Sequence, residues 1–328
     1  MRYHLTKQEQ WFTMGVVYCA GKGSLNVKMR ANLFLLLAAM IWGFAFVAQR
    51  VGMDHVGPFT FNAVRFALGS LSLLPLMLLL KNTSQDEGKN ASPPIKAWPV
   101  GVAAGAILFI GASFQQVGLI YTTAGKSAFI TCLYIVMVPI AGIFLKQRIS
   151  AATWFGCGLA LSGLYLLCVK ESFSIAYGDL LELIGAFFWT AHILWIDRFS
   201  RRVDTLKLAF FQFVTCSFLS FGTAAIWESI AWDGILQAGI PILYGGICSV
   251  GIAYTLQIVG QKNASPSHAA IILSMETVFA AIGGYLILGE RLGFIELLGC
   301  ALMMAGMLLS QLQSLKPEKS KEVISQAG

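Results

Sequence analysis

The chain has 328 residues, of which 57% are hydrophobic and only 12% charged, and its formal net charge is +7. A soluble domain carries roughly 25% Asp, Glu, Lys and Arg because its surface faces water, so this composition excludes an ordinary water-facing surface, and the mean hydropathy of +0.71 agrees. An excess of 23 Lys and Arg over 16 Asp and Glu would suit a nucleic acid only if the charges were gathered on one face.

Residues 1–31 read as an N-terminal leader. Its apolar run Trp11–Ala20 is too short to span a bilayer. With Lys7 ahead of it the run resembles a signal-peptide core, although Tyr18 before Cys19 is not the small residue a lipoprotein cleavage site wants. Met29-Arg30, directly before the first long apolar stretch, offers an alternative translation start.

Ten stretches near the roughly 20 apolar residues a bilayer core requires then follow. They are Asn32–Val51, Phe59–Leu80, Val100–Ile120, Ser127–Leu145 and Ala151–Val169, then Gly178–Ile196, Leu206–Trp227, Gly239–Val259, Ser267–Leu288 and Gly293–Gln311. Pro58 precedes the second, and Ser265-Pro266-Ser267 reads as an N-cap and first-turn proline for the ninth. A cytoplasmic N-terminus puts eighteen Lys and Arg in the tails and even-numbered turns, and only Arg50, Lys126, Lys170 and Arg291 outside. That bias places both termini in the cytoplasm. It also spreads the net charge over many turns, so nucleic acid is not called for.

The halves echo each other. A shift of 143 places Leu145-Lys146-Gln147-Arg148 on Leu288-Gly289-Glu290-Arg291, Gly156-Cys157 on Gly299-Cys300, and Gly163 on Gly306. A shift of 147 places Trp42 on Trp189 and Arg65 on Gln212. Five spans per copy is an odd number, so the second copy enters the membrane from the opposite side, as in secondary transporters whose substrate path lies between inverted repeats. The expected fold is an all-α integral membrane protein with ten transmembrane helices in two inverted five-helix repeats, 32–169 and 178–312, followed by a polar cytoplasmic tail, 313–328.

Trp42-Gly43, Arg65 and the twin L-x-[EQ]-R elements before the fifth and tenth spans resemble the EamA-type family of the drug/metabolite transporter superfamily, over roughly residues 32–312. Gln147 departs from the usual Glu of the first element, and Thr277 follows Glu276 where members often carry Pro. The resemblance implies transport of small solutes without naming the cargo.

Arg65 lies about 9 Å of helical rise into the second span, where a charge faces a bundle interior or wet cavity. It is a candidate counter-charge for an anionic or zwitterionic solute, or else an Arg that reaches the outer interface or pairs within the bundle, with Glu276 as one such partner. Glu276, near mid-bilayer in the ninth span, suits proton coupling or a structural pairing with Arg65 or Lys126. His192 could titrate near neutrality or serve as a satisfied hydrogen-bonder. Trp42 and Trp189 could line a central cavity or simply pack. Gln115, Gln116, Tyr121, Tyr134, Tyr254 and Gln257 are further polar groups for the same interior. Gly101-x-x-x-Gly105 and Gly245-x-x-x-Ser249 read as close helix contacts.

The seven Cys form no C-x-x-C pair and the four His have no ligand spacing, so neither a metal nor any other cofactor is expected. Gly125-Lys126-Ser127 is not a P-loop, because Ile120 stands where its first glycine belongs. With no nucleophile–base motif visible, an enzyme is not expected. The reading is a secondary transporter of small polar or amino-acid-like solutes, as monomer or homodimer. It would be an exporter working by alternating access in an inner or plasma membrane, with proton exchange as a driving force. A non-transporting structural or regulatory membrane protein, or an intramembrane lipid enzyme, is the alternative.

Overall fold

The computed structural model describes residues 27–80, 95–122, 124–146, 149–168, 177–289 and 293–315, and among these it contains helices and turns but no strand. Helices α1 (Val27–Gly52), α2 (Pro58–Leu80) and α3 (Ala97–Tyr121) are continuous. The fourth predicted span is divided into α4 (Ala124–Thr131) and α5 (Tyr134–Phe144), and α6 (Ala151–Cys168) follows. Next come α7 (Tyr177–Phe199), α8 (Thr205–Trp227) and the short α9 (Trp232–Gln237). α10 (Gly239–Leu243), a π-helical stretch Tyr244–Tyr254 and α11 (Thr255–Gln261) run on without interruption. The ninth predicted span is divided like the fourth, into α12 (Pro266–Leu273) and α13 (Glu276–Ile287), and α14 (Phe294–Leu315) is the last described helix.

Among the described residues, seven stretches are long and apolar enough to cross a membrane: α1, α2, α3, α7, α8, the run Gly239–Gln261 and the run Pro266–Ile287. The three other predicted spans fall on α4–α5, α6 and α14. The first helix begins at Val27, five residues before the expected Asn32. Most of the leader, the polar tail beyond Leu315, and Gln147, Arg148, Glu290 and Arg291 lie outside the described residues. The exterior is apolar, and several charged and polar side chains lie inside. Phe144, Phe218, Trp227, Ile240 and Phe294 are each more than three-quarters exposed, whereas Arg65, Gln116, Glu182, Gln212 and Glu276 are buried. An apolar exterior with polar groups kept inside is the arrangement that hydrocarbon solvent selects.

Local chemistry explains several boundaries. Ser265 caps α12, its Oγ accepting the His268 N–H, with Pro266 in the first turn as expected. Asp204 caps α8 by accepting the N–H groups of Leu206 and Lys207 at 3.0 and 3.1 Å. The α2 N-terminus is capped from far along the chain: Glu228 accepts the N–H groups of Phe59 and Thr60, both at 2.8 Å. In α5, Pro139 has no N–H to donate to the Ile135 carbonyl. The Cys157 thiol of α6 donates there instead, at 3.3 Å.

The two interrupted helices follow one plan. The Leu133 N–H bonds to Ile130 O and the Met275 N–H to Ile272 O, both at 3.1 Å, so each break is a tight i→i+3 turn. The second halves begin at Tyr134 and Glu276, which are 142 positions apart. Their far ends turn through left-handed residues, Lys146 (φ 58°) and Gly289 (φ 69°), each the second residue of an L-x-[EQ]-R element.

Two apolar cores sit on either side of the centre. One joins α1, α5 and α11–α13 around Leu35, Ile135 and Ile271, and the other joins α2, α3, α8 and the π-helical stretch around Phe66, Leu108 and Phe213. Small residues set the closest approaches. Gly101 and Gly105 of α3 rest on Phe211 and Gln212 of α8, while Gly246 rests on Arg65 and Leu68 of α2. On α6 and α14 the contact is reciprocal. Gly163 faces the backbone of Gly299 and Met303, and Gly306 faces that of Gly156 and Ala160, each position matched by a partner 143 residues on.

Candidate functional site

A cavity lies where α1, α2, α7 and the π-helical stretch meet the two helix breaks. The breaks place Tyr134 and Glu276 at its wall. The Tyr134 hydroxyl donates to Glu276 Oε1 at 2.9 Å, and the Cys132 thiol donates to the same oxygen at 3.4 Å. Glu276 is also the first residue of α13, where the unpaired N–H groups and the helix dipole favour a carboxylate.

Arg65 comes to the cavity from α2. Its Cζ lies 5.0 Å from the Phe66 ring centre and 5.6 Å from that of Phe61, and its Nε has no hydrogen-bond partner. Among the described residues no ion pair joins it to Glu276, which corrects the expectation of a direct pairing. The two charges occupy one cavity without neutralising each other. Ring contacts of this kind are worth about 0.5–2 kcal/mol, less than the several kcal/mol lost when an ion is desolvated.

Aromatic rings form another part of the lining. Tyr254 meets Trp42 edge-on at 4.7 Å between ring centres and stacks on Trp189 at 6.3 Å. The Trp42 indole N–H donates to the Ser249 carbonyl at 3.2 Å, inside the π-helical stretch, whose wider winding misaligns the ordinary i→i−4 ladder. The Trp189 indole N–H and the Gln257 Oε1 are buried without partners among the described residues. Gln49, Gln115 and Thr131 complete the polar lining. With about 40 Å³ of space for water, the cavity admits roughly one to three waters.

Of the residues singled out in the sequence, Arg65, Glu276, Trp42, Trp189, Tyr134 and Gln257 share this cavity, as do Gln115 and Tyr254. His192 and Gln116 do not line it. His192 lies behind the aromatic layer, its Nε2 paired with Gln212 Oε1 at 3.2 Å and its ring edge-on to Trp189 and Tyr254. Gln116 is buried, with neither amide atom hydrogen-bonded; Gln115, its neighbour, takes the place facing the cavity. Tyr121 is exposed and packs on Tyr177.

Sequence reasoning passed over Gln49, Thr131, Cys132, Ser249 and Glu182. The last carried a signal: it is a carboxylate inside the apolar run Leu180–Trp189. The others are small or neutral residues that only the breaks and the π-helical winding bring together.

A helical bundle with an apolar exterior and an internal, oppositely charged cavity defines a multi-pass membrane transporter. The family model described as the EamA-like transporter family matches residues 29–169 and 176–312, so the chain belongs to that family. A protein of Archaeoglobus fulgidus named an uncharacterized transporter is 32% identical over 298 residues, covering 89% of both chains. The uncharacterized transporter YoaV of Bacillus subtilis is 22% identical over 86% of this chain and 97% of its own length. A WAT1-related chloroplastic protein of Arabidopsis thaliana is 24% identical over 84% of this chain and 68% of its own. A crystal structure at 20% identity superposes with a TM-score of 0.71, covering 86% of this chain and 96% of the other, which shows a shared fold.

Proposed function

We propose that the chain is a secondary transporter that carries small polar, zwitterionic solutes through the central cavity by alternating access. The observation that carries this reading is Arg65: a buried guanidinium with no carboxylate partner among the described residues, sharing a cavity with Glu276 yet not paired to it. A solute bearing both a carboxylate and an ammonium group complements the two. The carboxylate takes the planar fork of Arg65, and the ammonium takes the Glu276 end with its hydroxyl and amide neighbours. Passage of such a solute from one side of the membrane to the other requires the helices around this cavity to move relative to one another.

The architecture behind this reading is ten crossings in two opposed five-crossing units, 32–169 and 178–312. It is supported by the repeated offsets of 142 to 143 between the two breaks, the two left-handed turns and the reciprocal glycines of α6 and α14. Both termini are cytoplasmic in a bacterial-type inner membrane, as the distribution of Lys and Arg favours. Transport is outward and exchanges solute for protons, with Glu276 in the coupling.

The test is exchange in proteoliposomes preloaded with a mixture of labelled L-amino acids. Saturable exchange that disappears in Arg65→Ala supports the reading. Exchange equal to that of empty liposomes across the mixture, with or without a pH gradient, would sink it.

A further inference from the structure

Glu182 lies outside the cavity lining and has no part in the mechanism above. It is fully buried on α7, and its two carboxylate oxygens accept from two hydroxyls of α4: Ser127 Oγ at 2.6 Å and Thr131 Oγ1 at 3.2 Å. No cation pairs with it among the described residues. Gly118 of α3 makes room for it, since a Cβ there would meet Glu182 Cγ and Oε1 at 2.9 Å.

The other half of the molecule supplies an internal control. Offsets of 142 carry Gly118, Ser127 and Thr131 to Gly260, Ala269 and Leu273, and an offset of 147 carries Leu35 to Glu182. The geometry is kept, for a Cβ on Gly260 would meet Leu35 Cγ at 2.8 Å. The chemistry is not: Leu35, Ala269 and Leu273 are buried in a continuous apolar core. Hydrocarbon therefore packs this junction well. A buried carboxylate held only by hydroxyls gains about 1.5–3 kcal/mol per charge-assisted bond against a desolvation penalty of several kcal/mol. Packing does not explain Glu182; reversible protonation is what a carboxylate offers and leucine does not.

Few charged groups face it. Asp179 lies one turn away on the same helix and accepts from Thr122 Oγ1 at 3.2 Å at the end of α3. On α5, Tyr134 is turned to Glu276. From α3 come Gln115 and Gly118, and α11 carries no charge. On α12, His268 is paired with Asn32 at 3.0 Å. The Lys126 side chain on α4 lies outside the described residues.

We propose that Glu182 is a proton-binding site of the transport cycle, loaded from the side where α3 ends and α7 begins, and read out in the cavity through Thr131. The proposal rests on the transport reading above. Thr131 bonds to Glu182 on one side, and on the other accepts from Gln115 Nε2 at 3.2 Å within the cavity lining. An ionised Glu182 accepts from both hydroxyls and clamps α4 just before its break. A proton arriving from water adds to a carboxylate oxygen, and that oxygen must then donate. A bond to one hydroxyl reverses, the clamp loosens, and the Thr131 hydroxyl is freed toward the cavity.

The test uses the full chain in lipid nanodiscs without solute. Infrared difference spectra between about pH 5 and about pH 9 should show a protonated-carboxyl band that is lost in Glu182→Gln and kept in Glu276→Gln, separate from any band lost only in Glu276→Gln. In proteoliposomes with labelled L-amino acids, Glu182→Gln should flatten the pH dependence of exchange from about tenfold to about twofold, a roughly fivefold loss that converts to about 1 kcal/mol of linkage. The triple variant E182L/S127A/T131L copies the packing of the other half, so it should fold while also losing the band. An unchanged band in Glu182→Gln, or a pH dependence kept by a folded triple variant, would overturn the assignment. Because the band needs no solute, its loss in Glu182→Gln alongside absent exchange would sustain the proton site and reject only the transport reading.

Discussion

Tyr134 and Glu276 open the second halves of the two interrupted helices, 142 positions apart, and they are hydrogen-bonded to each other at 2.9 Å. The same step in the two halves of the chain thus meets itself across the centre of the molecule. One copy contributes a hydroxyl and the other a carboxylate, so the contact is one of several polar links between the halves and the one that joins the two breaks directly. It also ties the two breaks together, and a movement at one is felt at the other.

Removing that bond isolates the carboxylate. Tyr134→Phe leaves Glu276 with the weaker Cys132 thiol as its donor. The expected loss is about 1–3 kcal/mol in thermal stability. Exchange should slow by roughly ten- to a hundredfold, and Glu276→Gln should remove most of the further effect of Tyr134→Phe in a double-mutant cycle. Additive losses in that cycle would show that the two residues act independently.

Arg65→Gln installs the residue found at the matching place in the second half, Gln212. Affinity for solutes carrying a carboxylate should fall about ten- to a hundredfold, the equivalent of a charge-assisted bond. Neutral analogues should bind as before. Arg65→Lys should recover little of the loss because a point charge does not reproduce a planar fork. Binding by labelled-ligand titration of the purified protein reads all three.

Gly163 and Gly306 are expected to be intolerant. A Cβ on Gly163 would meet the Met303 backbone nitrogen at 2.8 Å, and one on Gly306 would meet that of Ala160 at 3.0 Å. Neither obstacle is a flexible side chain. Gly163→Val and Gly306→Val should each destabilise by about 1–3 kcal/mol, seen as a lower melting temperature in detergent. Gly158 and Gly222 face open space, so alanine there should be harmless.

The Cys157 thiol occupies the carbonyl that Pro139 leaves unbonded. Cys157→Ala should therefore lower stability by about 0.5–1.5 kcal/mol, and Cys157→Ser by less. In a Pro139→Ala background the Ile135 carbonyl regains a backbone donor, and the penalty of Cys157→Ala should shrink. An undiminished penalty there would assign Cys157 to packing alone.

Hydropathy alone made this a membrane protein, because hydrocarbon solvent leaves no other use for so many long apolar runs. The repeated L-x-[EQ]-R elements and the paired tryptophans announced the two related halves. Arg65 and Glu276 were legible for a simple reason: a charge inside an apolar run has a large penalty to answer for, wherever the chain folds. Other features could not be read along the chain. The breaks after Thr131 and Leu273 carry no proline or glycine at the turn itself, and they are fixed by tertiary contacts around Cys132, Ser274 and Glu276. Gln115 and Gln116 are indistinguishable in sequence, and only the rotation of α3 decides that one faces the cavity. Glu182 has the same local signature as Glu276, yet only the folded structure sets it against two hydroxyls where Leu35 fills the matching place with hydrocarbon. Sequence determined the solvent and the repeat, which depend on composition and order. Tertiary structure decided which polar groups meet, which depends on distances between residues far apart in the chain.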